Sequence, residues 1–82
     1  MEVTLSRDAQ KQFDRLPKSA QAKVKKKILS LKVDHLSGKK LVSDLIGIRS
    51  LRAWPYRILY EVNTSRNRIE VHKIAHRQGA YK

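Results

Sequence analysis

The 82 residues carry 19 Lys and Arg against 7 Asp and Glu, a formal net charge of +12, and contain no cysteine. Disulfide staples and thiolate metal ligands are thereby excluded, and neither a signal-like N-terminus nor a run of roughly 18 apolar residues points to export or membrane insertion. With 40% hydrophobic residues, 3 Gly and 2 Pro, the composition is too apolar and too varied for disorder.

These bounds predict one cytoplasmic domain over residues 1–82. Its core is small, because a chain of this size buries only about 60% of the surface it exposes when unfolded. The positive charge repels itself on so small a surface unless a polyanion is near. Nucleic acid fits, since Lys and Arg displace counterions from phosphates, and an acidic protein fits the same field. A membrane surface fits less well, because no segment joins a strong apolar face to a basic one.

Residues 2–5 (EVTL) alternate, with Val3 and Leu5 on one side, and predict a short strand. Ser6 suits an N-cap, and Asp8 in the first turn complements the helix dipole. Ala9, Phe13 and Leu16 recur at helical spacing until Pro17 ends the run. A second helix is predicted from about Lys18 to Lys32, with Ala20, Val24, Ile28 and Leu31 as its apolar stripe and the lysines of KVKKK around the rest. Residues 34–40 (DHLSGKK) are polar and read as a loop. The period then changes to two, giving strands at 48–53, 56–62 and 68–75, the last two joined by the turn NTSRN. In YRILYEV, Tyr56, Ile58, Tyr60 and Val62 share one face while Arg57, Leu59 and Glu61 share the other. The expected class is α+β: a β-α-α-β-β-β domain whose antiparallel sheet carries the helical hairpin on one face.

The C-terminal stretch IAHRQGAYK sets His76, Arg77 and Tyr81 within six positions. Such a segment can bring a proton carrier, a fixed cation and a phenol to one phosphate, or it is a polar tail. His76 and Arg77 are neighbours, so in a regular strand only one of them faces any given partner. His72 and His76 lie about 13 Å apart along a strand, too far to share a metal. His35 sits in a loop, and no metal site or cofactor is expected.

Three segments in order resemble the RelE/ParE toxin superfamily of type II toxin–antitoxin pairs. AQKQFDRLP is similar to the family opening, KLVSDLIGIRSLRAWPYRILYEV to its spaced leucines, basic strand and YR strand, and IEVHKIAHRQGAYK to its apolar strand with HR and a tyrosine four residues on. The resemblance implies a basic concave site on the open face of the sheet, which in RelE-type members cleaves messenger RNA in the ribosomal A site. ParE-type members instead poison DNA gyrase. By position the resemblance assigns Arg57, Arg77 and Tyr81 to catalysis, places His76 where relatives carry a basic or titratable residue, and gives Arg52 one of two basic positions on the preceding strand. Ser50 occupies the other, and Trp54-Pro55 replaces the usual glycine-containing turn.

RNA cleavage without a metal needs a base for the attacking 2′-OH, cations for the phosphorane and an acid for the leaving 5′-oxygen. Arg57 and Arg77 suit the middle role, His76 an acid or base, and Tyr81 a proton carrier or a stacking ring. Arg49, Arg52, Lys25, Lys26, Lys39 and Lys40 are the candidate contacts to RNA or ribosome. Tyr56, Tyr60 and Trp54 are weighed as stacking platforms, with core packing preferred for Tyr60. The implied partners are a cognate acidic antitoxin, the ribosome with its message, and operator DNA only through the antitoxin. A gyrase inhibitor and a catalytically inactive, antitoxin-binding repressor component are the alternatives.

Overall fold

The computed structural model describes residues 2–34, 39–40 and 47–76. Along the chain run β1 (Glu2–Leu5), α1 (Arg7–Asp14), α2 (Lys18–Ser30), β2 (Lys39–Lys40), β3 (Ile48–Ala53), β4 (Tyr56–Asn63) and β5 (Arg68–His76). The strands form one sheet in the order β1-β5-β4-β3-β2. The α+β class and the helical hairpin on one face are as predicted.

Two expectations are corrected. The sheet is mixed, because β1 runs parallel to β5 while the other pairs are antiparallel. Alternation reports which face a side chain takes and is blind to strand direction. The loop expected over 34–40 contains a two-residue strand, with Lys39 opposite Ser50 and Lys40 opposite Arg49. A ladder this short is carried by backbone groups, so two lysines leave no apolar signature of it.

Each helix end has a local cause. The Ser6 hydroxyl accepts from the Ala9 amide at 3.0 Å, which caps α1. Pro17 separates the helices, and the Phe13 carbonyl at the end of α1 accepts both from the Leu16 amide at 3.1 Å and from the Gln21 side-chain amide at 3.0 Å, which ties the start of α2 to the end of α1. From α1 and α2, Ala9, Val24, Ile28 and Leu31 meet Leu51, Ala53, Ile58, Tyr60, Ile69, Val71 and Ile74 of the sheet in one buried cluster. No helix among the described residues is long and apolar enough to cross a membrane.

The β4–β5 register slips by one between Leu59 and Tyr60: Leu59 faces Lys73, but Tyr60 faces Val71. His72 is the extra residue of a bulge. The phase of β5 changes there, so Ile69, Val71 and Ile74 all point into the core. β1 ends at Leu5, and α1 takes over the exposed edge of β5. The Ser6 amide donates to the Val71 carbonyl at 2.9 Å, the Ser6 hydroxyl to the His72 carbonyl at 2.9 Å, and the Ile74 amide to Gln12 Oε1 at 2.7 Å.

The hairpin beyond the bulge carries its own charge cluster. Glu61 and Glu70 sit directly opposite each other, a like-charge pairing that is unfavourable on its own. Arg68 donates from Nε and Nη2 to one oxygen of Glu70 at 3.2 and 3.0 Å, and His72 Nε2 lies 3.0 Å from Glu61 Oε1. The Arg68 hydrogen bonds, helped by Asn63, hold the Glu70 carboxyl below its ordinary value of 4.5 against the opposing effect of burial. The turn is closed by Asn63, whose side-chain oxygen accepts from Ser65 Oγ at 2.8 Å and the Arg66 amide at 3.2 Å. Asn67 takes a φ of 52°, a left-handed conformation that asparagine tolerates better than most residues.

Two outcomes follow for stability. Gln12→Leu strands the Ile74 amide and should cost about 1–3 kcal/mol by urea unfolding, whereas Gln12→Glu keeps an acceptor and should cost less. Because the Glu70 pKa is lowered in the fold, its contribution is present above about 4.5 and disappears as pH falls through the lowered value. Arg68→Ala should therefore move the Glu70 carboxyl titration upward by NMR. An unchanged titration would show that Arg68 is not the cause.

Candidate functional site

The face of the sheet away from the helices is assembled by register. Arg52 on β3 lies directly opposite Arg57 on β4, and Arg57 opposite Ala75 on β5. The next row aligns Lys39, Ser50, Leu59 and Lys73. Arg52 is exposed, Arg57 and Lys73 are half-buried, and Ser50 and Leu59 are buried between them. Leu59 stands outside the cluster that joins helices and sheet. The result is a shallow basic patch over an apolar and hydroxyl floor, with small Ala75 leaving room beside Arg57.

Two guanidinium groups opposite one another repel unless an anion or acidic group lies near both. Their planar donor forks match the oxygens of one phosphate. At the rim, the exposed Trp54 has the Arg52 guanidinium carbon 6.0 Å from its ring centroid. Lys23 of α2 reaches across to donate to the Trp54 carbonyl at 3.0 Å.

The structure divides the residues singled out from sequence. It unites Arg52 and Arg57. It sets His76 opposite Tyr56, with the rings T-shaped at 5.7 Å between centroids. Tyr56 shares the phase of Ile58 and Tyr60, so His76 takes the helix-side face and not the face of Arg57. Arg49 pairs with Tyr60 on that same helix side, while Lys25 and Lys26 are exposed on α2. Tyr60 is wholly buried, as core packing required. Arg77 and Tyr81 lie outside the described residues.

Lys73 was missed by sequence reasoning. Strict alternation from Ile69 and Val71 sends residue 73 into the core, and only the bulge at His72 turns Lys73 outward. One signal for it exists: an apolar Ile74 out of phase with two inward residues implies an inserted position. The bulge also gathers Glu61, Glu70 and His72, whose candidate ligand atoms all lie within 4.8 Å of one another. Arg68 already occupies one Glu70 oxygen and His72 already meets Glu61, so the contacts within this group account for it.

Comparison with known proteins agrees with this architecture. Residues 3–81 match the family described as the ParE toxin of the type II toxin–antitoxin system, parDE. The chain is 30% identical to Toxin RelE of Mycobacterium tuberculosis over 82 residues, covering 98% of this chain and 84% of that one. The toxin–antitoxin complex RelBE2 of the same organism gives a TM-score of 0.85 at 26% identity, over 92% of this chain and 95% of that one. The archaeal RelE–RelB complex from Pyrococcus horikoshii superposes with a TM-score of 0.80 at 22% identity, over 96% and 97% of the two chains, a likeness of fold. Sequence match and fold converge: the chain belongs to the ParE toxin family of type II toxin–antitoxin systems, within the RelE/ParE superfamily.

Proposed function

We propose that this toxin is a RelE-type, metal-independent endoribonuclease that cuts messenger RNA in the ribosomal A site and is neutralised by an acidic antitoxin. The observation that carries the reading is the Arg52–Arg57 cross-strand pair on the open face, with Lys73 in the adjoining row. In the reaction the 2′-oxygen bonds to phosphorus as the bond to the 5′-oxygen breaks. One proton leaves the 2′-OH and one reaches the departing oxygen. Negative charge builds on the phosphorane between these events, and fixed guanidinium groups stabilise charge that develops there.

Arg57 holds the central cationic role in this reading, and Arg52 positions the phosphate beside it. Arg77 and Tyr81 complete the set as second cation and as proton carrier or stacking ring. His76, paired with Tyr56 on the opposite face, is the weakest member. Few proton carriers accompany these cations, so the ribosome's hold on the message supplies much of the geometry. Arg49, Lys25 and Lys26 then serve as contacts to ribosomal RNA on the helical side rather than to the cleaved phosphate.

A gyrase-directed toxin is the second reading, favoured by the match to a family described as ParE. Pulse labelling after induction separates the two, since translation stops first in one case and replication in the other. The finer assay is single-turnover cleavage on programmed ribosomes. Arg57→Ala and Arg77→Ala should each lose more than about 10²-fold, the scale of one oxyanion-hole donor. Tyr81→Phe should lose less than Tyr81→Ala, and His76→Gln should show a milder, pH-dependent loss. Wild-type rates in Arg57→Ala would remove the nuclease reading.

RelB accompanies the toxin in the solved complexes that this chain resembles. At +12, a cognate antitoxin rich in Asp and Glu is drawn in by the field, so its association rate should fall steeply with salt. A rate indifferent to ionic strength would count against electrostatic capture.

A further inference from the structure

We infer that Trp54 is a nucleobase platform: a site at the rim of the open face that stacks one base of single-stranded RNA beside the phosphate held by Arg52 and Arg57. This deepens the nuclease reading and rests on it for the identity of the ligand. Three independent observations meet at the β3–β4 turn.

The first is exposure. Trp54 leaves 51% of its surface in water, although an indole is among the side chains with most to gain from burial. The second is its cationic neighbourhood. Arg52 places its guanidinium 6.0 Å from the ring centroid, at the limit of a cation–π contact, and Lys23 brings an ammonium to the Trp54 carbonyl. An exposed aromatic ring with cations close by is the pattern by which proteins hold single strands: the bases stack, and the cations track the backbone.

The third is support. Pro55 and Tyr56 follow Trp54 and, with Pro17, Ser19, Ala20 and Lys23, line a cleft of about 240 Å³. The turn is therefore backed by the start of α2 and tied to it by the Lys23 hydrogen bond. A backed turn holds a ring in place, which lowers the ordering cost of stacking a base on it. Stacking tolerates any base, so the platform adds affinity and register more than sequence choice.

The chain has one tryptophan, so emission excited selectively at the indole, beyond the tyrosine absorption, reports on this site alone. The protein is titrated at low salt with a short single-stranded oligoribonucleotide, and separately with an abasic strand of equal length and charge. The RNA should quench the emission and the abasic strand should bind without quenching. By anisotropy of a labelled strand, Trp54→Ala should weaken RNA binding about tenfold, within the range for one stacked base. The same variant should leave abasic binding unchanged, and Trp54→Phe should retain most of the affinity, with melting temperatures measured for each.

Equal quenching by both strands, failure of either to bind, or wild-type RNA affinity in Trp54→Ala would each overturn the platform. The last result would leave Trp54 as an anchor for a protein partner. Quenching that persists in a protein unable to cut ribosome-bound message would sink the nuclease reading while leaving the platform standing.

Discussion

The bulge at His72 is the constraint on which the arrangement of both faces depends. β5 must bury Ile69 and Val71 at one end and Ile74 at the other, and no uninterrupted strand can do so. One inserted residue reconciles them. It would be costly if its backbone groups were left open at the edge that β1 vacates. The N-cap Ser6 donates there and Gln12 of α1 accepts, so the first helix is docked by the irregularity of the strand it covers. Sequence-distant residues are thereby fixed together: Ser6 and Gln12 hold the backbone of β5 at His72 and Ile74.

That phase change explains the distribution of charge on the open face. Before the bulge, Glu70 joins Glu61; after it, Lys73 and Ala75 join Leu59 and Arg57. The same face thus has an acidic end and a basic end, separated by the bulge. At the acidic end two carboxylates find Arg68 and His72 within the chain, and the cluster closes on itself. At the basic end the like charges come from Arg52 and Arg57, with Lys73 adding to the excess. That separation gathers Arg52, Arg57 and Lys73 at one end of the open face, away from its carboxylates.

Much of this was legible in the sequence where the signal is local. The Ser6 cap, the break at Pro17, the inward stripe Val24–Ile28–Leu31 and the NTSRN turn depend on neighbours within a few positions, and propensity and periodicity report such neighbours. Placing Arg57 on the face opposite Tyr56, Ile58 and Tyr60 also followed from alternation alone. What alternation lacks is direction and continuity. It carries no sign of the parallel β1–β5 pairing, gives no warning for the β2 lysines, and sends Lys73 inward. The separation of Arg49 from Arg52 was legible, since three strand positions reverse the face, yet grouping residues by charge hides it.

Net charge, for the same reason, is a poor map of the site. Lys25 and Lys26 of α2, Arg49 and His76 belong to the helical side, and Arg52, Arg57 and Lys73 to the other. A single polyanion phosphate cannot touch both sides of a sheet whose helical face is packed. The +12 total therefore divides into a diffuse field and a local site with different tasks. The field is screened over about 8–10 Å at ordinary ionic strength and accelerates encounter with any polyanion. At the proposed site, register sets two guanidinium groups opposite each other, and a shift of one residue on β4 would replace that pair. The proposed function thus rests less on how many cations the chain carries than on the strand pairing that places two of them together.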